Sequence, residues 1–282
     1  MTALALSLAA ALSWGTADFG AALKARSLPV FIVIAGMLIV GSLGAAAALL
    51  VTEAPAPEAQ TARAGLAAGA ATAIGLTALY QGLAIGPMSV VAPISAAGVM
   101  IPVVAGLVQG DEPSAVQLAG IAVAIAGMLT VVALAEDAPG SGGIEGRRGT
   151  AVLLAIVGAV GLGVYFLAAD AVGSGQSGWF LLIGQLVAGT ALAAVIGARG
   201  LPMPSRSDAV QIAALGGLSF AAWATSTAAV SAGDLSLTST ISSLYPVVTV
   251  LLAVGFAGES LRPGQVPALA AAFVGVGLIA GG

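Results

Sequence analysis

Between Arg63 and Asp111 the chain carries no charged side chain, and that run alone is long enough for two membrane crossings. Further charge-free stretches at Ser27–Thr52, Pro113–Ala135, Gly149–Ala169, Ala171–Ala198, Ala209–Gly233, Leu235–Gly258 and Pro263–Gly282 take up most of the remainder. A water-soluble domain carries about 25% charged residues, because its surface must be solvated. Here the figure is 7%, against 59% hydrophobic residues and a mean hydropathy of +1.11. The bilayer is the solvent that suits such a surface.

Charges therefore punctuate the spans. Gly86-Pro87 supplies a turn within the longest run, and Ala3–Ala22, interrupted only by Asp18, adds a first span. The spacing predicts ten helices at about 3–22, 29–51, 64–84, 89–109, 115–135, 149–169, 178–198, 209–231, 235–256 and 264–281. Strands of a transmembrane barrel are about 10 residues long and alternate apolar with polar. These runs are roughly twice that and apolar all round, as expected of helices that satisfy their own backbone hydrogen bonds. The expected class is an all-α polytopic membrane protein, multi-pass in the cell (inner) membrane. The N-terminal run lacks the basic start and cleavage site of a leader, so it reads as a retained span.

Composition also excludes functions. With no cysteine and no histidine, the chain has no thiol chemistry, no zinc cluster and none of the usual proton shuttles. No metal, cofactor or enzymatic chemistry is expected. The net charge of -4 contains no basic run, so neither nucleic acid nor a polybasic membrane anchor is implied. The expected partners are lipid and a small-molecule substrate, with the protein a monomer or weak homodimer.

The longest polar connection, Glu136 to Gly143, falls near the midpoint and prompts a search for a repeat. Gly86 and Gly233, Glu112 and Glu259, and Ile94-Ser95 and Ile241-Ser242 are each separated by 147 positions (for example 233 − 86). At 148, Gly36-x-Leu38-x-x-Gly41-Ser42 matches Gly184-x-Leu186-x-x-Gly189-Thr190, Thr2-Ala3 matches Thr150-Ala151, and Gly15 matches Gly163. The division is residues 1–138, a linker at 139–148, and residues 149–282. Five spans per unit make the second unit enter from the opposite side, so the fold is two inverted five-helix repeats. That architecture serves alternating access, with two bundles facing each other across a substrate site at the midplane.

Seven of the eight basic residues fall on one face of this topology, leaving Arg63 on the other. The positive-inside rule would make the richer face cytoplasmic and place both termini outside.

Asp18 is the leading candidate for function. A carboxylate within a span costs about 2.5–3.5 kcal/mol on insertion scales, so it belongs in a cavity or beside a partner. Ser7, Ala11, Trp14 and Asp18 share one helical face, suited to an amine or to a coupling proton; the alternative is a helix-end charge near Lys24 or Arg26. Phe166 occupies the equivalent place in the second repeat. Pro93, Pro102 and Pro246 interrupt spans four and nine and would free carbonyls toward a cavity, unless they serve only as packing kinks. Ser242 and Tyr245 belong to a hydroxyl stripe with Thr238 and Thr249, and Ser95 is the first-half match of Ser242. Tyr80, Gln81, Tyr165, Gln185 and Trp223 complete the candidate substrate contacts, since an unpaired amide in hydrocarbon is costly. Trp179 reads as an interface anchor, and Glu112 and Glu259 as caps on the helices that follow them.

Three segments resemble the EamA-type, ten-helix branch of the drug/metabolite transporter superfamily. They are Leu12-Ser13-Trp14-Gly15-Thr16-Ala17-Asp18-Phe19, the stretch Leu79 to Ser95, and Ser242-Ser243-Leu244-Tyr245-Pro246 with the later Gly258-Glu259. The resemblance covers the whole chain. It implies a secondary transporter, working outward as an exporter, for a small polar metabolite such as an amino acid or a drug-like cation. It also implies cytoplasmic termini, against the count of basic residues. A channel or a non-transporting membrane scaffold is the competing reading.

Overall fold

The computed structural model describes residues 2–99, 101, 105, 114–136, 145–172, 175–232, 244–261 and 263–281. The described residues form ten α-helices and no strand. They are α1 (Thr2–Ala25), α2 (Val30–Val51), α3 (Ala59–Ile85), α4 (Met88–Ala96), α5 (Ala115–Glu136), α6 (Glu145–Asp170), α7 (Ser177–Ala198), α8 (Arg206–Ala232), α9 (Tyr245–Phe256) and α10 (Gln265–Gly281). A 3₁₀ turn, Ala97–Val99, extends α4. Within the described residues, α2, α3, α6, α7 and α8 contain stretches long and apolar enough to cross a membrane unaided. Leu43, Ile74, Leu153 and Leu251 are exposed on the outer surface, where lipid solvates them.

Local chemistry sets the helix ends. Pro29 precedes α2 with its φ fixed near the helical value. Ser114 and Gln117 form a reciprocal capping box at the start of α5, with N–H to Oε1 at 2.9 Å and N–H to Oγ at 3.1 Å. Ser205 caps α8 by accepting from the Asp208 N–H at 3.1 Å.

The packing follows a pseudo-twofold pattern between the repeats. α1 packs against α8, and its counterpart α6 against α3; α2 packs against α8, and α7 against α3. Glycines make the matching crossings. A Cβ on Gly15 would come within 2.6 Å of the Tyr245 carbonyl oxygen in α9, and one on Gly163 within 2.8 Å of the Gly98 carbonyl beyond α4. α5 and α10 pair with each other: Gly127 meets Ala268 and Ala272, and Gly275, 148 positions later, meets Gly120 and Ala124. These contacts run between the halves, so the repeats interleave and do not sit as the two separate facing bundles expected from the sequence. Without a hydrophobic drive between helices in lipid, such close backbone approach is what holds them together.

Contacts at the helix ends sort the connections onto two faces. On one, the Lys24 Nζ pairs with Asp208 at 2.7 Å and the Arg199 guanidinium lies 5.1 Å from the centroid of the Phe31 ring. On the other, the Trp179 indole N–H donates to the Pro55 carbonyl at 2.6 Å, and the Gln60 amide to the Ala171 carbonyl at 2.8 Å. The α1–α2 connection thus meets the α7–α8 connection, while α2–α3 meets α6–α7, as an inverted repeat requires.

Glu259 departs from the sequence expectation. It caps not the helix that follows it but α4 of the other repeat: its carboxylate accepts from the N–H groups of Met88 at 2.7 Å and Ser89 at 3.1 Å. Gly258, at φ 71°, turns the chain after α9 so that the carboxylate reaches this helix N-terminus. Orphan N–H groups and the helix dipole both favour an anion there. Its repeat partner Glu112 lies outside the described residues.

Two measurements check this packing. Gly161→Val, which pushes a side chain into the Gly75 backbone, should cost about 1–3 kcal/mol and lower the unfolding temperature in detergent. Gly189→Val, with open space around it, should leave that temperature nearly unchanged. Glu259→Ala should speed amide exchange at Met88 and Ser89 by about tenfold, the size expected for losing an N-cap.

Candidate functional site

Seven helices surround a cavity of about 400 Å³: α1, α2, α3, α6, α7, α8 and the first turn of α9. Glycine makes room for it. Gly75 and Gly161 line the cavity and bring the backbones of α3 and α6 together, so a Cβ on Gly75 would lie 2.9 Å from the Gly161 Cα.

The cavity lies on the pseudo-twofold axis, because equivalent positions from both repeats line it. Trp14 and Leu162, Asp18 and Phe166, and Met37 and Gln185 are pairs at offset 148 (for example 162 − 14). Thr72 and Ser219, Leu76 and Trp223, and Leu79 and Ser226 are pairs at offset 147. All twelve side chains contribute to the wall.

Among the described residues, Asp18 provides the one carboxylate of the lining, and no described lysine or arginine lines the cavity. Its Oδ1 accepts from the Tyr80 hydroxyl at 2.8 Å. One turn earlier, Trp14 meets Tyr245 edge to face with ring centroids 6.1 Å apart. Asp18 therefore sits within an aromatic wall of Trp14, Tyr80 and Tyr245, a setting that favours a cation through both charge and ring faces. Lys24, two turns further along α1, is held by Asp208 at the membrane face. Deeper in the wall, Phe220 and Trp223 stack with centroids 5.7 Å apart, and Tyr165 contacts Phe166 and Phe180. Gln185 lies opposite, its Oε1 accepting from Ser42 at 3.4 Å.

The sequence candidates divide as follows. Trp14, Asp18, Tyr80, Tyr165, Gln185, Trp223 and Tyr245 line the cavity together. Gln81 and Ser95 do not: Gln81 is the residue after Tyr80 and so points to another side of α3, and Ser95 is buried, donating to the Ala155 carbonyl of α6 at 3.3 Å. Pro93 is fully buried inside α4, and Pro246 is buried in the first turn of α9, where its missing N–H costs no helical bond. Neither proline lines the cavity. Thr249 of the hydroxyl stripe ties α9 to α1 by donating to the Gly15 carbonyl at 3.2 Å. Ser242 and Pro102 lie outside the described residues. Met37, Thr72, Ser219, Phe220 and Ser226 were not among the candidates. The repeat offset was a signal for Met37, since it maps the candidate Gln185 onto it; Thr72 and Ser219 map onto each other and so had no candidate to point to them.

Among the described residues, no group of three or more acidic residues could hold a metal. The lining instead supplies one carboxyl group, aromatic rings, hydroxyls and an amide, which can bind and orient a small molecule.

The model of the EamA-like transporter family matches residues 1–133 and 149–281, one match in each half. A protein solved by crystallography under the description "Crystal structure of protein" is 21% identical, with 98% of this chain and 96% of that one covered at a TM-score of 0.62. That likeness supports the fold alone. No curated protein matches the chain. With both halves matched in a ten-helix inverted repeat, the chain belongs to the EamA-like transporter family.

Proposed function

We infer that this protein is a secondary transporter, an exporter of a small polar metabolite across the cell (inner) membrane by alternating access, acting as a monomer or weak homodimer. The observation that carries this reading is the position of Asp18: the one carboxylate among the described residues lining a cavity on the axis relating two inverted repeats. A site on that axis can be offered to either face by exchanging the conformations of the two halves. Burying a carboxylate in a span is costly, so a bound cation or proton that offsets the charge would be held strongly there. An amino-bearing substrate or a coupling proton is therefore the natural occupant of Asp18. Outward direction rests on the family resemblance, and on this reading the repeats' boundary falls in residues 139–148.

Counterflow into vesicles reconstituted with purified protein, run with a panel of small amines and amino acids, tests the function. At least one compound should exchange saturably, and Asp18→Asn should reduce its exchange at least tenfold while leaving the protein folded. Exchange by the Asp18→Asn protein equal to wild type at every pH would remove Asp18 from the mechanism. Conductance that never saturates would point to a channel instead.

A further inference from the structure

The cavity is symmetric in the positions that line it but not in their chemistry. Asp18 faces its pseudo-equivalent Phe166, and Gln185 its pseudo-equivalent Met37, so each repeat supplies one polar group where the other supplies an apolar one. The two polar groups also lie at different depths. Asp18 is seven residues before the end of α1 (25 − 18), and Gln185 is eight after the start of α7 (185 − 177), on the opposite face. At 1.5 Å per residue they sit about 10 Å and about 12 Å inside their respective faces, leaving about 8 Å between them along a hydrocarbon core of about 30 Å.

Gln185 is positioned by Ser42 and by the small residue beside it. Ser42 donates to its Oε1, which leaves the amide NH₂ as the free donor. Gly41, beside Ser42, also lines the cavity, and a Cβ there would lie 2.5 Å from Oε1. Gly41 thus keeps clear the space in which the amide lies.

We propose that the site takes an organic monocation whose ammonium binds Asp18, whose apolar body lies between the aromatic walls, and whose far end presents a hydrogen-bond acceptor to Gln185. This deepens the transporter reading and rests on it. An α-amino acid is a poor fit. Its carboxylate would enter a cavity whose described lining holds one carboxylate and no basic residue, where it would lose hydration without a partner and face Asp18 across a low-dielectric space. Between the two substrates expected from the sequence, the site favours the cation over the amino acid.

Binding and counterflow on purified, reconstituted protein with tyramine, 2-phenylethylamine and free tyrosine separate the possibilities. Tyramine carries the ammonium and a far acceptor oxygen, 2-phenylethylamine lacks the acceptor, and free tyrosine adds the carboxylate. The expected order is tyramine several-fold tighter than 2-phenylethylamine and at least tenfold tighter than tyrosine, the sizes typical of one buried hydrogen bond and one unpaired charge. Gln185→Leu should lower tyramine affinity to that of 2-phenylethylamine, and Gly41→Ala should do the same by displacing the amide. Asp18→Asn should weaken both amines at least tenfold. Tyrosine binding as tightly as tyramine would overturn the proposal, as would Gln185→Leu weakening both amines equally or no saturable binding of either amine to the folded wild type. Binding in the expected order without counterflow would uphold the proposal and overturn the transporter reading.

Discussion

The backbone contact between Gly75 of α3 and Gly161 of α6 determines much of what surrounds it. In lipid, helices gain nothing by hiding apolar side chains from one another, so association depends on dispersion between closely approaching surfaces. Glycine gives the closest approach, and these two residues bring α3 and α6 together at the cavity wall. Related contacts recur at Gly15 and Gly163, at Gly69 and Gly216, and at Gly127 and Gly275. Each joins one repeat to the other. The interface between repeats is therefore the core of the molecule, and the cavity is the space left where side chains on the axis fail to fill it.

That origin explains the site's chemistry. A duplicated unit places equivalent positions on both sides of the axis, so a substrate site begins with matched walls. At two matched pairs the walls differ in chemistry: Asp18 stands against Phe166 and Gln185 against Met37, so each repeat contributes one polar group. A site with distinct poles holds an asymmetric molecule in one orientation. The frame around the cavity is also shared between repeats: Glu259 of the second holds the N-terminus of α4 in the first.

Much of this was legible in the sequence because lipid imposes a severe rule. A charged side chain can rarely sit in hydrocarbon, so charges marked the connections and glycine offsets of 147 and 148 exposed the duplication. The same rule made Asp18 stand out, and its helical spacing from Trp14 located one wall. What the sequence did not reveal followed from three-dimensional interleaving. Hydropathy does not say which helix packs on which, so α1 against α8 could not be read from it. The prolines differ in place: Pro93 lies inside α4 and Pro246 in the first turn of α9, and both are buried outside the cavity lining. Ser95 looked like a cavity hydroxyl, but its position on α4 turns it toward the Ala155 carbonyl. Glu259 read locally as a cap for the next helix, because a cap supplied across 171 positions leaves no trace in neighbouring residues. Phe220 and Ser226 carried no signal beyond the repeat offset.

All of these features depend on the second repeat running through the membrane in the opposite sense to the first. The absence of natural cysteines makes that directly testable. Single cysteines at Ser27, in the α1–α2 connection, and at Ser177, at the start of α7, occupy corresponding places in the two repeats, and both positions are exposed. A membrane-impermeant maleimide applied to intact cells should label one variant, and the other should react only after the membrane is opened. Equal labelling of both from the same side would mean that the repeats are parallel, and the on-axis cavity would have no basis.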